Sequence, residues 1–430
     1  MTLEGLVLPF LTEADPEQAG EGSLDPLRLL SMAEALAEEV LPSITNRMSR
    51  LRFLTAIAVG AAATAGLEDL LPKDGVTTPY LAFEWHVVEA MARRVEGLPR
   101  EARLGIPGIA KAQASMRRGS RLSHATYLKT PKVFGFFGVY KRLATGIDLV
   151  DHDLVLQGAG DELLRIWERE NSLEGFVDAK GTRGGRLAKN IRAAVEEALL
   201  AGRVTRPLSS WLWTWLFEPL RLDAAGRGER RYLRARLLDA EAPLRRELIT
   251  RISTIPSGPD VDVLRAARRG VSPALQRRLL AIDAYERVAL LLTRAFDATR
   301  RLSTASGLRP VTTAELAQHP IVARVAMEIP QAFARTLIRL ERIGGNHALR
   351  FEANLGCFEA PMAPVRFVEE LLEHHRVVQS DKAARPWLEE DARGFFVRSA
   401  YTLHEEPVLG DGYVHPYRVG AVQGFLADIG

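Results

Sequence analysis

Thr130-Pro131-Lys132-Val133-Phe134-Gly135-Phe136-Phe137-Gly138-Val139-Tyr140-Lys141-Arg142-Leu143-Ala144-Thr145-Gly146 is the stretch that decides the reading of the chain. Thr130 before Pro131 is a cap followed by proline at the first helical position, where the missing N–H is not needed. The spacing predicts one helix from about Lys132 to Thr145, with Val133, Phe136, Phe137, Tyr140 and Leu143 on its apolar face and Gly146 as its stop. Gly135 and Gly138 inside it each cost about 1 kcal/mol relative to alanine, which implies close approach of another backbone or helix. Two β-prone runs follow, Ile147 to Val150 and Leu154 to Gln157, on either side of the turn Asp151-His152-Asp153, and then a helix through Leu163, Leu164 and Trp167. Helix, small hairpin, helix is the order that ends a winged helix.

Working outward, the rest of the chain is predominantly helical. Asp25-Pro26 opens a helix carrying Leu27, Leu30, Ala33, Leu36, Ala37 and Val40, and Pro42 ends it. The Ala- and Gly-rich run Phe53 to Leu67 is too short to span a bilayer, which takes about 20 residues, and reads as a buried helix. Leu81 to Val95 is a further helix before the break at Pro99, Gly105, Pro107 and Gly108. Helical patterns continue over Arg186 to Ala201, Trp211 to Leu220, Tyr232 to Ile255, and from the Ser272-Pro273 cap to about Thr299. Thr312 and Glu315 have capping-box spacing, a glycine-bearing loop is expected from Gly344 to Gly356, and a helix runs from Pro364 to about Val378. A second hairpin is expected around Phe395-Phe396-Val397-Arg398, and Val419 to Ile429 reads as a docking helix. The fold class is therefore mainly α, a multi-module helical protein with winged-helix-like units carrying short β-hairpins. The expected modules are 1–100 (helical, with an acidic tail), 101–171 (basic, winged-helix-like), 172–305 (helical) and 306–430 (helical with a hairpin, a candidate second winged helix). No repeat of fixed period occurs.

Composition bounds the function classes. The chain has 430 residues, 47% hydrophobic and 26% charged, so several domains are expected. No Lys or Arg precedes the apolar patch Leu6 to Leu11, which argues against a secretory signal and for a cytoplasmic location. One cysteine, Cys357, excludes an intramolecular disulfide and a thiolate metal cluster.

The net charge of +3 conceals an uneven distribution. Residues 1–50 hold nine acidic against three basic side chains, whereas 101–150 hold nine basic (Arg103, Lys111, Arg117, Arg118, Arg121, Lys129, Lys132, Lys141, Arg142) against Glu101 and Asp148. Four of the eight lysines lie there, and since Arg is this protein's default cation, their concentration is the sharper signal. Such a segment attracts phosphates or an acidic partner. Arg117, Arg118, Arg121, Lys129, Lys132, Lys141 and Arg142 are the candidate DNA contacts, on a helix lying in or across a groove of double-stranded DNA. Asp151 and Asp153 at the hairpin tip oppose phosphate contact there. A solvated basic helix with glycines for packing is the plain alternative.

Other constellations favour structural roles. Trp211, Trp213 and Trp215 could stack on bases, but the apolar run to Phe217 favours core packing. His374-His375 and His404-Glu405-Glu406 lack the i, i+4 pair of a zinc helix; Asp151-His152-Asp153 and Glu389-Glu390-Asp391 read as polar turns. No phosphate-binding loop, dinucleotide fingerprint, nucleophile elbow or Cys-His set is present, so neither a cofactor nor a metal is expected and the leaning is away from an enzyme.

Leu41-Pro42-Ser43-Ile44-Thr45-Asn46-Arg47-Met48-Ser49-Arg50-Leu51-Arg52-Phe53-Leu54, with Thr126-Tyr127 and Tyr140-Lys141-Arg142-Leu143, resembles the N-terminal half of uncharacterised bacterial proteins encoded beside helicases and phospholipase-D-like nucleases in antiphage defence islands. The resemblance covers the first 170 residues and includes no catalytic motif. It implies a bacterial accessory subunit that handles DNA or a DNA-processing partner. The expectation is a non-enzymatic DNA-binding subunit; the alternative is a scaffold that docks a helicase or nuclease without touching DNA.

Overall fold

Helix starts in this chain are set by short polar side chains and by prolines in the first turn. The computed structural model describes residues 25–94, 105–178, 181–239, 241–307 and 309–429. Arg103, Glu101 and the acidic N-terminal segment lie outside them. Asp25 caps as expected, but one turn further on: its carboxylate accepts the N–H groups of Leu29 (2.8 Å) and Leu30 (3.0 Å), Arg28 is left-handed (φ 55°), and α1 is Leu30–Val40. The described residues form two compact units, residues 25–37 with 268–417 (unit 1) and residues 38–267 with 418–429 (unit 2). The boundaries expected at 100, 171 and 305 fall inside these units.

Unit 2 is organised around α2 (Phe53–Thr64), of whose 12 residues 11 are buried. This is the buried helix that the run from Phe53 predicts. Its small side chains let neighbours come close: a Cβ on Gly60 would sit 2.6 Å from the Phe83 ring and 2.7 Å from that of Tyr80. Those rings belong to α3 (Pro79–Ala92), opened by the Thr78 hydroxyl accepting from Leu81 N–H. Next come α4 (Ile109–Arg117), absent from the sequence expectation, α5 (Pro131–Phe134) and α6 (Phe136–Gly146). The expected continuous helix from Lys132 to Thr145 is thus two helices broken at Gly135. The expected hairpin after it is reduced to one bridge, Val150 to Leu156, with Asp151 Oδ1 accepting from Asp153 N–H (2.8 Å) and Val155 N–H (2.9 Å) to close the turn.

The unit continues through α7 (Gly158–Glu170), α8 (Arg183–Ala201), α9 (Leu212–Leu220), α10 (Arg227–Leu237), α11 (Pro243–Ile252) and α12 (Asp260–Ala267). The single helix expected from Tyr232 to Ile255 is divided, because Pro243 can only begin a helix there. Helices α3, α6, α7 and α8 all pack on α2. At the start of α2, Arg52 and Glu229 form a fully buried ion pair (2.5 Å); Glu229 also accepts from the Thr55 hydroxyl (2.6 Å), and Arg52 donates to the Pro219 carbonyl. The predicted C-terminal helix, Val419–Ile429, returns to this unit: Asp428 accepts Leu51 N–H (2.8 Å) and pairs with Arg50 (3.0 Å).

In unit 1 the long helix α13 (Pro273–Ala305) starts where the Ser272 hydroxyl accepts from Leu275 N–H. The predicted capping box of Thr312 and Glu315 opens α14 (Thr313–Ala317), and α15 (Pro320–Glu341) packs along α13. The segment expected as a loop from Gly344 to Gly356 contains α16 (His347–Leu355). After α17 (Pro364–Asp381), β1 (Leu388–Asp391) and β2 (Gly394–Val397) form the expected hairpin as an antiparallel pair, Leu388 opposite Val397. Glu389-Glu390-Asp391 therefore lies in a strand and not in a turn. Mainly helical architecture is as the sequence predicts, and among the described residues no helix is long and apolar enough to cross a membrane.

His374 and His375 face backbone carbonyls. His374 Nε2 lies 3.0 Å from Leu27 O. His375 Nδ1 lies 2.9 Å from Pro26 O while its Nε2 accepts Trp387 N–H at 2.8 Å, an arrangement that needs the neutral ring. Burial accordingly pushes His375 down to about 4. A depressed histidine contributes stability above its ordinary value near 6.5 that is lost as pH falls towards 4. Urea unfolding should show His375→Gln less stable than the parent at pH 7, with the gap narrowing by on the order of 1–3 kcal/mol by pH 4.5. A gap that stays constant over this range would show that the ring is not held neutral.

Candidate nucleic-acid interface

The break at Gly135 shapes the site. Gly135 is extended (ψ 164°), and a Cβ there would lie 2.1 Å from Glu84 Oε1; a Cβ on Gly138 would lie 2.4 Å from the Lys132 carbonyl oxygen. The two glycines thus mark close approaches, as their cost implies. The turn between α5 and α6 sends Phe136, Tyr140 and Leu143 into the core. Phe53 of α2 packs on Phe136 (5.4 Å between centroids) and Tyr140 (5.1 Å), and the Tyr140 hydroxyl accepts the N–H groups of Ser49 (2.8 Å) and Arg50 (2.9 Å). Val133, expected on the apolar face, is 44% exposed.

Glu84 stands behind this turn with no exposed surface. Its carboxylate accepts the Tyr127 hydroxyl (2.7 Å) and Phe137 N–H (3.1 Å). Burial raises the carboxyl to about 7, and the hydrogen bonds from Tyr127, Phe137 and Phe136 hold it from going higher. Tyr80, raised by burial and by Glu84, has a buried hydroxyl with no hydrogen-bond partner; its ring packs 4.8 Å from that of Phe137.

These residues back a cleft of about 960 Å³. Its lining comes from the end of α2 and residues 65–81, from residues 124–141 and from residues 152–156, with Val177. Val76 and Val155 are 55% and 56% exposed. Lys129, Lys132 and Lys141 all line the cleft, and Lys141 Nζ stands 5.3 Å from the Phe137 ring centroid. None of the three has a carboxylate partner among the described residues. Glu68 and Asp153 also line the cleft, from the other segments, so the lysines of the lining all come from the 129–141 segment.

The remaining sequence-predicted contacts are placed elsewhere. Arg121 pairs with the buried Glu89 (2.7 Å) and lies 5.4 Å over Trp213. Arg142 pairs with Glu38 (2.9 Å) while staying 56% exposed. Arg117 and Arg118 are exposed at the end of α4, outside the cleft lining. The sequence reading missed Glu84, Tyr127, Tyr80 and the apolar walls. The available signal was Glu84, His86 and Glu89 within the otherwise largely apolar PYLAFEWHVVEAMA of α3.

The tryptophans divide. Trp213 is buried, stacked on His86 (5.9 Å) and bonded through Nε1 to Pro207 O (2.8 Å), as core packing requires. Trp211 is 44% exposed with its edge against Trp215. Comparison with known proteins gives no matching family model, no similar curated protein and no similar solved structure. The cleft therefore has to be read from its own chemistry.

A carboxyl raised to about 7 by folding contributes stability that is complete below its ordinary value near 4.5 and disappears as pH rises through 7. Glu84→Gln, which mimics the protonated form, should gain on the parent by on the order of 3 kcal/mol between pH 4.5 and pH 8. Chemical denaturation across that range checks it, and parallel curves for parent and variant contradict the assignment.

Proposed function

We propose that this chain is a non-enzymatic nucleic-acid-binding accessory subunit acting in the cytoplasm, and that the cleft of unit 2 holds a short single-stranded stretch of DNA. The observation that carries this is the convergence of Lys129, Lys132 and Lys141 on one cleft that also carries the apolar and aromatic side chains Val76, Leu81, Phe137 and Val155, beside Glu68 and Asp153. The lysines of the 129–141 segment suit a phosphate backbone, and Phe137, Leu81, Val76 and Val155 in the same lining suit unpaired bases.

Duplex contact is less well supported. A major groove about 12 Å wide accepts a continuous helix. Here the basic segment is bent at Gly135, the α6 face bearing Phe136, Tyr140 and Leu143 is buried, and the adjacent turn offers Asp151 and Asp153 where a wing offers Arg or Lys. Association with a helicase or nuclease in antiphage defence rests on the sequence resemblance and is part of the same proposal. A protein-docking scaffold is the second reading. It is favoured by Leu208 and Trp211, 68% and 44% exposed close together in sequence.

Fluorescence anisotropy with a labelled oligo-dT 12-mer and a 20-base-pair duplex separates the readings. The single strand should bind more tightly. Reversing Lys129, Lys132 and Lys141 together to Glu should weaken it by more than about tenfold and reduce the salt slope by about 2, three phosphate contacts at ~0.7 each. Affinity that survives the reversals places the site elsewhere. Absence of binding to both probes, with a stable complex in pull-downs, favours the scaffold.

A further inference from the structure

Helix α10 carries Arg227, Arg231 and Arg234 at i, i+4 and i+7, the spacing that puts three side chains on one helical face. All three are exposed, whereas Glu229, Leu233 and Leu237 are buried on the other side. Arg230, on the flank of the same face, is also exposed and donates to the Ala225 carbonyl (2.9 Å). Among the described residues Arg227, Arg231 and Arg234 have no carboxylate within ion-pair distance.

Exposed arginines on several other helices face an acid one turn away: Arg165 on α7, Arg192 on α8, Arg324 on α15 and Arg366 on α17. Around α10 every acid is committed elsewhere. Its own Glu229 pairs with Arg52. On α7, which packs against it, Asp161 pairs with Arg165, Glu162 bonds to the Tyr232 hydroxyl and Glu168 accepts Val177 N–H. Glu170 accepts the N–H groups of Gly228 (2.5 Å) and Glu229 (3.1 Å) at the start of α10. The closing helix Val419–Ile429 also packs on α10, and its one acid, Asp428, pairs with Arg50. Like charges at i, i+3 and i, i+4 destabilise a helix, and Arg227 in the first turn opposes the helix dipole besides. A line of anions laid along the face would relieve both.

We propose that this face of α10 holds the phosphate backbone of a nucleic-acid duplex, one phosphate to each of Arg227, Arg231 and Arg234. From the first to the last the helix rises about 10 Å, roughly three base-pair steps of one strand at ~3.4 Å each. No large apolar side chain of α10 is exposed, so the face lacks both the apolar centre of a protein interface and the aromatic surface on which unpaired bases stack. No residue of α10 lines the cleft, and the proposal rests on the cleft reading only in taking the chain to bind nucleic acid.

The probe is a labelled, blunt 20-base-pair DNA duplex, titrated into the full chain over a range of salt concentrations. Combining Arg227→Glu, Arg231→Glu and Arg234→Glu should weaken duplex binding by more than about tenfold and lower the salt slope by about 2.7, three phosphate contacts at ~0.9 each. Lysine at the same three positions should keep the affinity within about threefold, because the charges remain. The same three-charge reversal at Arg335, Arg339 and Arg342, on and just after α15, should also cost less than about threefold, as should the α10 reversal for the oligo-dT 12-mer. Should the Glu variant fail to fold, Gln at the three positions carries the test through the same loss of slope. The proposal is overturned if the parent does not bind the duplex, if a folded α10 variant binds it undiminished, or if the α15 reversal weakens it equally. Equal loss of the 12-mer, or displacement of the duplex by polyglutamate at matched charge, overturns it too. Failure of the 12-mer to bind while the duplex binds through α10 removes the cleft reading and leaves this one standing.

Discussion

The cleft of unit 2 depends on a carboxylate kept away from water. Glu84 ties α3 to Tyr127 and to the first turn of α6 through Phe137 N–H, and it occupies the space that only glycine at position 135 leaves open. An apolar residue there would leave the Tyr127 hydroxyl and the Phe137 amide without this acceptor, each a buried donor whose loss of partner is destabilising. Glu84 meets the bend between α5 and α6 at Phe137 N–H, and the segment on either side of that contact carries Lys132 and Lys141. The carboxyl's rise to about 7 shows that burial outweighs the three hydrogen bonds that favour its charged form.

The division between arginine and lysine follows the chemistry of the two cations. Arg52, Arg121, Arg142 and Arg418 are committed to fixed partners: Glu229, Glu89, and Glu38 for the last two. A planar, rigid guanidinium suits such geometry, whereas a strongly hydrated ammonium on a flexible stem keeps its head in water. Lys129, Lys132 and Lys141 remain on the wall of an open cleft. In an arginine-rich chain, the few lysines are thus the more informative cations.

Much of the helical framework was legible in the sequence because it rests on local signals. The Ser272-Pro273 start, the Thr312–Glu315 box, the uniformly apolar α2 and the closing Val419–Ile429 helix are each specified within a few residues. Errors came where distant partners decide. The continuous apolar face from Val133 to Leu143 conceals a break where Gly135 leaves room for Glu84, 51 residues earlier, and for the Pro131 carbonyl. The split at Pro243 was visible in principle, and the helical period on both sides hid it. Of the candidate site, the lysines were legible as a charge excess. Its apolar lining was not, because it is assembled from segments far apart in the chain, Ala61, Val76 and Val177 among them.

Unit 2 is discontinuous along the chain, since residues 418–429 rejoin a body otherwise complete by residue 267. Gly424 packs so closely on Ser49 that a Cβ would lie 2.5 Å from its carbonyl oxygen, and the fully buried Arg418 donates to Leu41 O (2.8 Å). During synthesis at roughly 5–20 residues per second, the ribosome must add the whole intervening segment before these groups exist, a delay on the order of ten seconds. Until then the amide of Leu51 and the carbonyl of Leu41 lack their final partners. The half-made chain therefore emerges with an unsealed seam beside α2, the interval in which a chaperone would have the most to cover.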